Sequence, residues 1–585
     1  MSSLTKRRGE SDAASYLLLA VMVVLLLALG ALWLAAAAGA AFADRPAPPG
    51  NPFLLPFALI GGSYQWPGLF AWLVLGLEAA AVLALVVVVV RAVLRRRARR
   101  LPVDAAARHL SKGRDLHKLS AQGARKTADR LGVDPTRPPG LFIGNSVIGG
   151  QPLYGSAEDT YLDIWGPRTG KTTRKAIPGI MSHGAAPVVC TSNKRDVVDA
   201  TRGGRATVGM VWVFDLQGII GEEPTWYWDP LTSIKTLTDA AKLAGHFAAD
   251  SRADGAQTDA YFEPSGQELL ANLLLAAALD NRPITQVYKW LANDRDQEPA
   301  RILGAHGPDY AMAAASVRGM LNAPEKQRGG VYGTARLMAS VLRSPEVTRW
   351  VTPPTGLGKA RAFDPDDFVR STDTAYLVSR EGEGSAGALV TALTVAICDA
   401  AERYAMQSPR GRLPRELLCM LDEAANVCKW QHLPNLYSHY GSRGINLVTI
   451  LQSWSQGVEV WGERGMKKLL SSANLVTYGG GVKEEEFLRV LSSLAGPYEL
   501  QSPSVTLQPS NAGGLFGSNR SVSRSGRDDT ILDVADLGGL SQGRALVLAS
   551  GIRPTLVATV PWWERDFAGV VQASIDTHDP GATAS

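Results

Sequence analysis

Cysteine is scarce. The 585 residues hold four, Cys190, Cys398, Cys419 and Cys428, and no two form a C-x-x-C pair. Neither a thiolate zinc site nor a disulfide framework is therefore indicated, and the four read as small apolar side chains of a reducing compartment. None of the eight histidines lies in an H-E-x-x-H, which excludes a zinc protease of that kind. No LSGGQ-like segment supports a transporter of the ABC class. The large C-terminal body also lacks an excess of basic charge. Thirteen Lys/Arg against Asp104, Asp115 and Asp129 give residues 91–130 a net charge of +10, residues 1–90 balance, and the whole chain carries +5, so residues 131–585 carry −5. That balance argues against a broadly basic nucleic-acid-binding exterior, so any DNA contact has to be local. The basic segment itself reads as a topology signal, with a second role toward anionic lipid or nucleic acid left open.

Charge is missing altogether from Tyr16–Phe42, and Leu69–Val90 contains only Glu78. Each run reaches or exceeds the roughly 20 residues a helix needs to cross a bilayer. The first is too long for the core of a cleaved signal peptide, and a second span comes after it. Lys6, Arg7 and Arg8 precede the first run, and Arg91, Arg95, Arg96, Arg97, Arg99 and Arg100 follow the second. Positive-inside bias then predicts both termini in the cytoplasm, with the short loop that carries Trp66 facing outward. Glu78 is expected to face another helix or to be neutral, as a contact between spans, because no partner acid or base for proton transport is visible.

Two motifs carry chemistry. In "IWGPRTGKTTRKAIP" (Ile164–Pro178) a β-prone "TYLDI" leads into a glycine loop and a helix start, the context a phosphate-binding loop requires. Gly166, Pro167, Arg168, Thr169, Gly170, Lys171, Thr172 and Thr173 are the nucleotide-binding candidates. Lys171 is expected to reach the β- and γ-phosphates of ATP, and the Thr172 hydroxyl to ligate Mg2+. Trp165 stands where the first glycine of G-x-x-x-x-G-K-[ST] is due, and Gly166 comes one place late. Further on, "ELLCMLDEAANV" is an apolar strand ending in two acids: Asp422 is the second expected Mg2+ ligand, and Glu423 is expected to orient and polarise an attacking water. Gln452 ends the strand "INLVTILQS" and is a candidate γ-phosphate sensor or an ordinary polar strand cap. Arg443, on the turn before that strand, is a candidate arginine finger acting in trans or a plain surface charge.

These residues resemble the type IV secretion coupling proteins, the TraG/TraD-like conjugative DNA-transfer ATPases, of actinobacterial type. The likeness rests on the two spans, "GPRTGKTTRKAIP", "VVCTSNKRDVVDATR", "WDPL", "LDEAANV", "RGINLVTILQSWSQ" and "GRALVLASGIRPTL". Lys194 and Asp196 fall on the Lys and acidic positions of the family's Asp-Pro-Lys-Gly-Glu-like turn, while Ser192 replaces its aspartate. The resemblance implies an α/β fold: a RecA-like P-loop ATPase domain with an inserted all-α domain and two N-terminal transmembrane helices. The expected division is a membrane domain over 1–100, the first part of the nucleotide-binding domain with the basic segment over 101–250, the all-α domain over 251–355, and the second part over 356–585. It further implies a homo-hexamer in the bacterial inner membrane, with single-stranded DNA, its relaxase and type IV secretion channel proteins as partners. Gln501–Asp529, rich in Ser and Gly, is expected to be a flexible loop. Three rivals remain: a double-stranded DNA translocase of the FtsK type, an ATPase that moves only effector proteins, and a docking platform that binds ATP without turnover.

Overall fold

A computed structural model describes residues 8–98, 101–252, 259–354, 360–382, 384–509 and 518–581. The chain divides into two compact units, Met1–Leu101 and Pro102–Ser585. In the first, two long helices, Arg8–Phe42 and Leu69–Ala98, contain apolar windows at Leu25–Phe42 and Leu69–Val88 long enough to cross a membrane. They meet through small residues. A Cβ at Gly39 would lie 2.5 Å from the Ala71 Cβ, the close approach by which helices associate without a hydrophobic driving force. Phe42 stacks on Phe70 at 4.2 Å and Trp66 lies 5.0 Å from Trp72, aromatic placement typical of a membrane–water boundary. Glu78 is half-buried, and its Oε2 finds no hydrogen-bond partner among the described residues.

The second unit is built on one mixed sheet. Its strands are β1 (Phe142–Ser146), β2 (Pro152–Tyr154), β3 (Tyr161–Ile164), β4 (Val188–Ser192), β5 (Val211–Asp215), and, past a short parallel pair of β6 (Trp226–Tyr227) and β7 (Arg361–Ala362), β8 (Thr374–Val378), β9 (Leu417–Leu421), β10 (Ile445–Leu451) and β11 (Leu475–Tyr478). The ribbon β12 (Pro497–Pro509) and β13 (Ser518–Thr530) stands apart, and β14 (Arg544–Ala549) and β15 (Ile552–Ala558) complete the sheet. The order is β2-β1-β15-β14-β11-β3-β10-β9-β4-β8-β5. From β11 to β5 every neighbouring pair is parallel. Every residue of β3, β4, β8, β9, β10 and β11 is buried, because helices cover both faces of a parallel sheet. That is why these strands read as unbroken apolar runs and not as alternating ones.

Between β6 and β7 the chain makes a helical excursion, including Phe262–Leu279, Thr285–Ala292 and Glu325–Met338. Its base is tied by aromatic packing: Trp226 lies 5.7 Å from Trp350 and 5.4 Å from Phe363, and the Trp228 N–H donates to the Trp350 carbonyl at 2.9 Å. Leu269, Leu270, Leu273, Leu274 and Leu275 are buried in the same core as one face of the sheet. At roughly 1.5–3 kcal/mol for each buried leucine, they anchor the helices firmly to the sheet.

The stretch expected as a flexible loop is different. Its described backbone forms the β12–β13 ribbon, paired from Pro497–Thr530 to Pro509–Ser518. Serine and glycine suggested a loop, but long antiparallel pairing satisfies the backbone regardless of side chain. Arg520, Arg524 and Arg527 fall on β13, and the segment 510–517 lies outside the described residues.

Candidate nucleotide site

Parallel strands deliver their carboxyl ends to one edge, and open α/β sheets bind ligands there. The glycine loop leaves β3 at this edge. The Trp165 N–H donates to the Leu451 carbonyl of β10 and the Gly166 N–H to the Gly480 carbonyl, both at 2.9 Å. Trp165 is no defect in the loop: its side chain is buried and lies over Gly479, where a Cβ would be 2.1 Å from the indole. The glycine requirement has moved one residue on. A Cβ at Gly166 would lie 2.3 Å from the Gly481 carbonyl carbon, so no side chain fits there. Thr169 Oγ1 donates to the Gly166 carbonyl at 2.6 Å and closes the turn. Gly170 has φ +94° and Arg168 φ +61°, a left-handed conformation that is costly for a residue with a Cβ.

From Lys171 to Ser182 the chain is helical, but Thr172–Ala176 is wound as a π-helix. Pro178 explains this: it has no N–H to give the Arg174 carbonyl, and the Ile177 N–H bonds the Thr172 carbonyl five residues back. Lys175 holds the helix onto β3 through a buried ion pair with Asp163 at 3.1 Å. The backbone N–H groups of Arg168, Thr169, Gly170 and Lys171 make no hydrogen bond among the described residues. Free N–H groups on a glycine turn form a concavity suited to an anion.

β10 lies between β3 and β9, which brings the other candidates to the loop. Lys171 Nζ pairs with Glu423 Oε1 and lies 4.0 Å from Asp422 Oδ1. Gln452 Nε2 donates to the same Glu423 oxygen at 2.7 Å. Asp422 and Glu423 are buried, and Asp422 Oδ1 has no hydrogen-bond partner among the described residues. Burial pushes the Asp422 carboxyl up to about 6, against the opposing pull of Lys171. Burial likewise lowers the Lys171 ammonium, while Asp422 raises it. Glu423 has φ +55°, ψ +42°, a strained backbone that aims its carboxylate back at the loop.

Not every candidate reaches this edge. Arg443 lies before the amino end of β10, across a strand of seven residues, and pairs with Glu402 at 3.1 Å. Arg168 is exposed and pairs with no acid among the described residues. Thr172 is half-buried beside Lys171, and Thr173 Oγ1 donates to the Gly170 carbonyl at 3.3 Å.

The site also holds residues that sequence reasoning missed. Glu381, three residues past β8, accepts from Asn193 past β4 and from Asn426 Nδ2 at 2.7 Å; the Asn426 amide also lies 3.4 Å from Glu423 Oε2. A hydrogen-bond chain thus links the ends of β4, β8, β9 and β10. The signal available was an acid just beyond the apolar run "TAYLV". The glycine triplet Gly479–Gly481 on which the loop rests was a second missed signal, since three glycines in a row at a strand end mark close backbone approach.

Raised carboxyl pKa values cost stability. The unfolded Asp422 loses its proton near the ordinary carboxyl value of 3.8 and the folded one at about 6, so stability falls as pH rises through that window and is flat above it. Asp422→Asn is expected to raise the stability of the nucleotide-free protein at pH 7–8 by up to about 3 kcal/mol. The gain should vanish below about pH 4. Chemical denaturation at pH 3.5 and pH 7.5 checks this; an equal gain at both would mean that the cost is not ionisation.

Two family models match. Residues 222–478 fit the type IV secretion-system coupling protein DNA-binding domain, and residues 416–542 the TraM recognition site of TraD and TraG. Together they span 222–542, more than half the chain. The chain belongs to the type IV secretion-system coupling proteins. Solved structures of one such coupling protein share its fold. The unbound bacterial conjugative coupling protein TrwBdeltaN70 aligns with TM-score 0.52 at 17% identity, covering 73% of this chain and 90% of that one. Plasmid coupling protein TrwB with the non-hydrolysable GTP analogue GDPNP aligns at 0.50 and 17%, covering 73% and 91%; TrwB with ADP and Mg2+ aligns at 0.50 and 16%, covering 72% and 90%. No curated protein matches significantly in sequence. The fold of this coupling protein is thus the RecA-type ATPase fold, and its two apolar N-terminal helices fit a membrane anchor.

Proposed function

We propose that this coupling protein hydrolyses ATP to drive single-stranded DNA, with its attached relaxase, into a type IV secretion channel. The observation that carries the reading is the convergence of Lys171, Asp422, Glu423 and Gln452 on one glycine loop from the ends of three neighbouring strands. The solved relatives bound to nucleotides support ATP and Mg2+ as the ligands.

The residues fit that pair. Free loop N–H groups suit phosphate oxygens, and the unpartnered, buried Asp422 oxygen is a ready ligand for a hard cation. No cluster of three or more His, Cys, Asp or Glu suited to a metal is found among the described residues. That agrees with Mg2+, which keeps waters and phosphate oxygens as most of its ligands. Asp422 and the Thr172 hydroxyl would hold it. When bound, Mg2+ neutralises charge on the β- and γ-phosphates. Lys171 leaves Glu423 and binds the same phosphates, with Gly166–Thr173 wrapping the chain of phosphates. Glu423, released from the lysine and held by Gln452, orients a water and accepts its proton. Arg443, away from the chain's own glycine loop and paired with Glu402, would act in trans if it acts as an arginine finger, in a ring with sites between subunits, proposed as a homo-hexamer.

The division into 1–100, 101–250, 251–355 and 356–585 belongs to the same reading, as does anchoring in the inner membrane with both termini in the cytoplasm. The matched DNA-binding-domain model over 222–478 favours DNA as cargo. The test is ATP turnover by the full chain in lipid nanodiscs with each cargo. Single-stranded DNA is expected to stimulate turnover several-fold and duplex DNA to do less. Stimulation by duplex alone would replace the reading with the FtsK-type translocase, and stimulation only by a secreted protein would replace it with an effector ATPase.

A further inference from the structure

The flank of the glycine loop away from the acids is also furnished. Gln542 and Gly543 precede β14, and Thr559 follows β15. Arg174, on the helix after the loop, reaches them: its Nη1 donates to the Thr559 carbonyl at 2.7 Å, and a Cβ at Gly543 would lie 3.7 Å from that nitrogen. Its Nε is buried and has no hydrogen-bond partner among the described residues. Gln542 is exposed, and its amide has no partner among the described residues. Both free donors converge on Gly170. A Cβ there would lie 3.2 Å from Arg174 Nε and 3.3 Å from Gln542 Nε2.

Sheet order gives this pair a direction. β3 carries the loop; β10 and β9, with Gln452 and the two acids, lie on one side, and β11 and β14 lie on the other. A nucleotide with its γ-phosphate at Lys171 and Glu423 therefore points its remaining half toward β14. We propose that Arg174 and Gln542 form the subsite for that half, Arg174 Nε donating to the α-phosphate and Gln542 Nε2 to an oxygen of the ribose. The C-terminal strand pair, remote in sequence from both motifs, would then report nucleotide occupancy through Arg174 and Thr559. This inference rests on the proposal that the loop binds ATP.

Calorimetric titration of the full chain in detergent micelles with Mg-ATP and with inorganic tripolyphosphate separates the outcomes. Gln542→Ala is expected to weaken Mg-ATP about tenfold, the scale of one lost hydrogen bond, and to leave tripolyphosphate unchanged, because that probe has no sugar. Arg174→Lys, which keeps the charge and removes the Nε donor, is expected to weaken both. Unchanged Mg-ATP binding by Gln542→Ala overturns the subsite, and so does an equal loss for both ligands, which would mean a deformed phosphate loop. If the wild-type chain binds neither ligand, the nucleotide reading itself fails and this inference with it.

Discussion

Lys171→Ala is expected to abolish ATP hydrolysis and, in mating cells, DNA transfer. One deletion causes two separate losses. The first is the cation that meets the β- and γ-phosphates; electrostatic stabilisation of this kind typically accounts for about 10²–10³ in turnover per group. The second is a partner for the acids. Lys171 is the only Lys or Arg in an ion pair with Asp422 or Glu423 among the described residues. Removing one member of a buried pair commonly costs about 3–5 kcal/mol. The expected relief is protonation: with its counter-cation gone, the Asp422 carboxyl should rise further above about 6. The variant should therefore melt earlier than wild type at pH 8, with the deficit shrinking toward pH 5. Thus the stability loss is itself a fingerprint of the site and not merely a nuisance. Parallel measurement of turnover and of melting at the two pH values checks both parts. Near-normal turnover in a folded variant would remove Lys171 from the phosphate site.

The legible part of the sequence reflects how a parallel sheet is built. Each buried strand is a short apolar run, and the residues just past its carboxyl end stand at the ligand edge. Thr160–Ile164 with its loop, Leu417–Leu421 with Asp422 and Glu423, and Ile445–Leu451 with Gln452 were legible for that reason. Legibility stopped at lateral order. Nothing local in "LVTYGGGV" says that β11 lies beside β3, so the role of Gly479–Gly481 beneath Trp165 was hidden. Glu381, Asn193 and Asn426 were hidden in the same way, since β4 pairs with both β8 and β9 across more than 180 residues of chain. Arg443 reads in the sequence as a charge on a turn; it is instead the last residue of the helix Leu433–Arg443, and only the sheet reveals that this helix end lies at the opposite edge. The β12–β13 ribbon was missed because serine and glycine report loop tendency, whereas antiparallel pairing is decided by backbone hydrogen bonds.

Glu423→Gln is expected to bind ATP and fail to hydrolyse it, with turnover reduced about 10²–10⁴-fold, the usual contribution of a general base. The amide is nearly isosteric, and any Cβ-bearing residue has the same quarrel with φ +55° at this position, so folding should not separate the variant from wild type. The single amide oxygen can still accept from the Gln452 side chain, while the NH2 faces the Asn426 amide, and the group cannot take a proton from water. Its effect on affinity is the sharper result. Glu423 holds the Lys171 ammonium, and ATP has to displace that contact before the lysine can meet phosphate. Neutralising Glu423 removes the competitor, so the dissociation constant for ATP should fall below the wild-type value while turnover collapses. Lys171→Ala is expected to lose both affinity and turnover. Opposite changes in affinity from two residues that touch each other are hard to produce by loss of structure. They are the direct consequence if the observed pair is a resting contact that nucleotide must break. An unchanged affinity in Glu423→Gln would mean the Lys171–Glu423 contact does not compete with nucleotide, and unchanged turnover would remove Glu423 as the base.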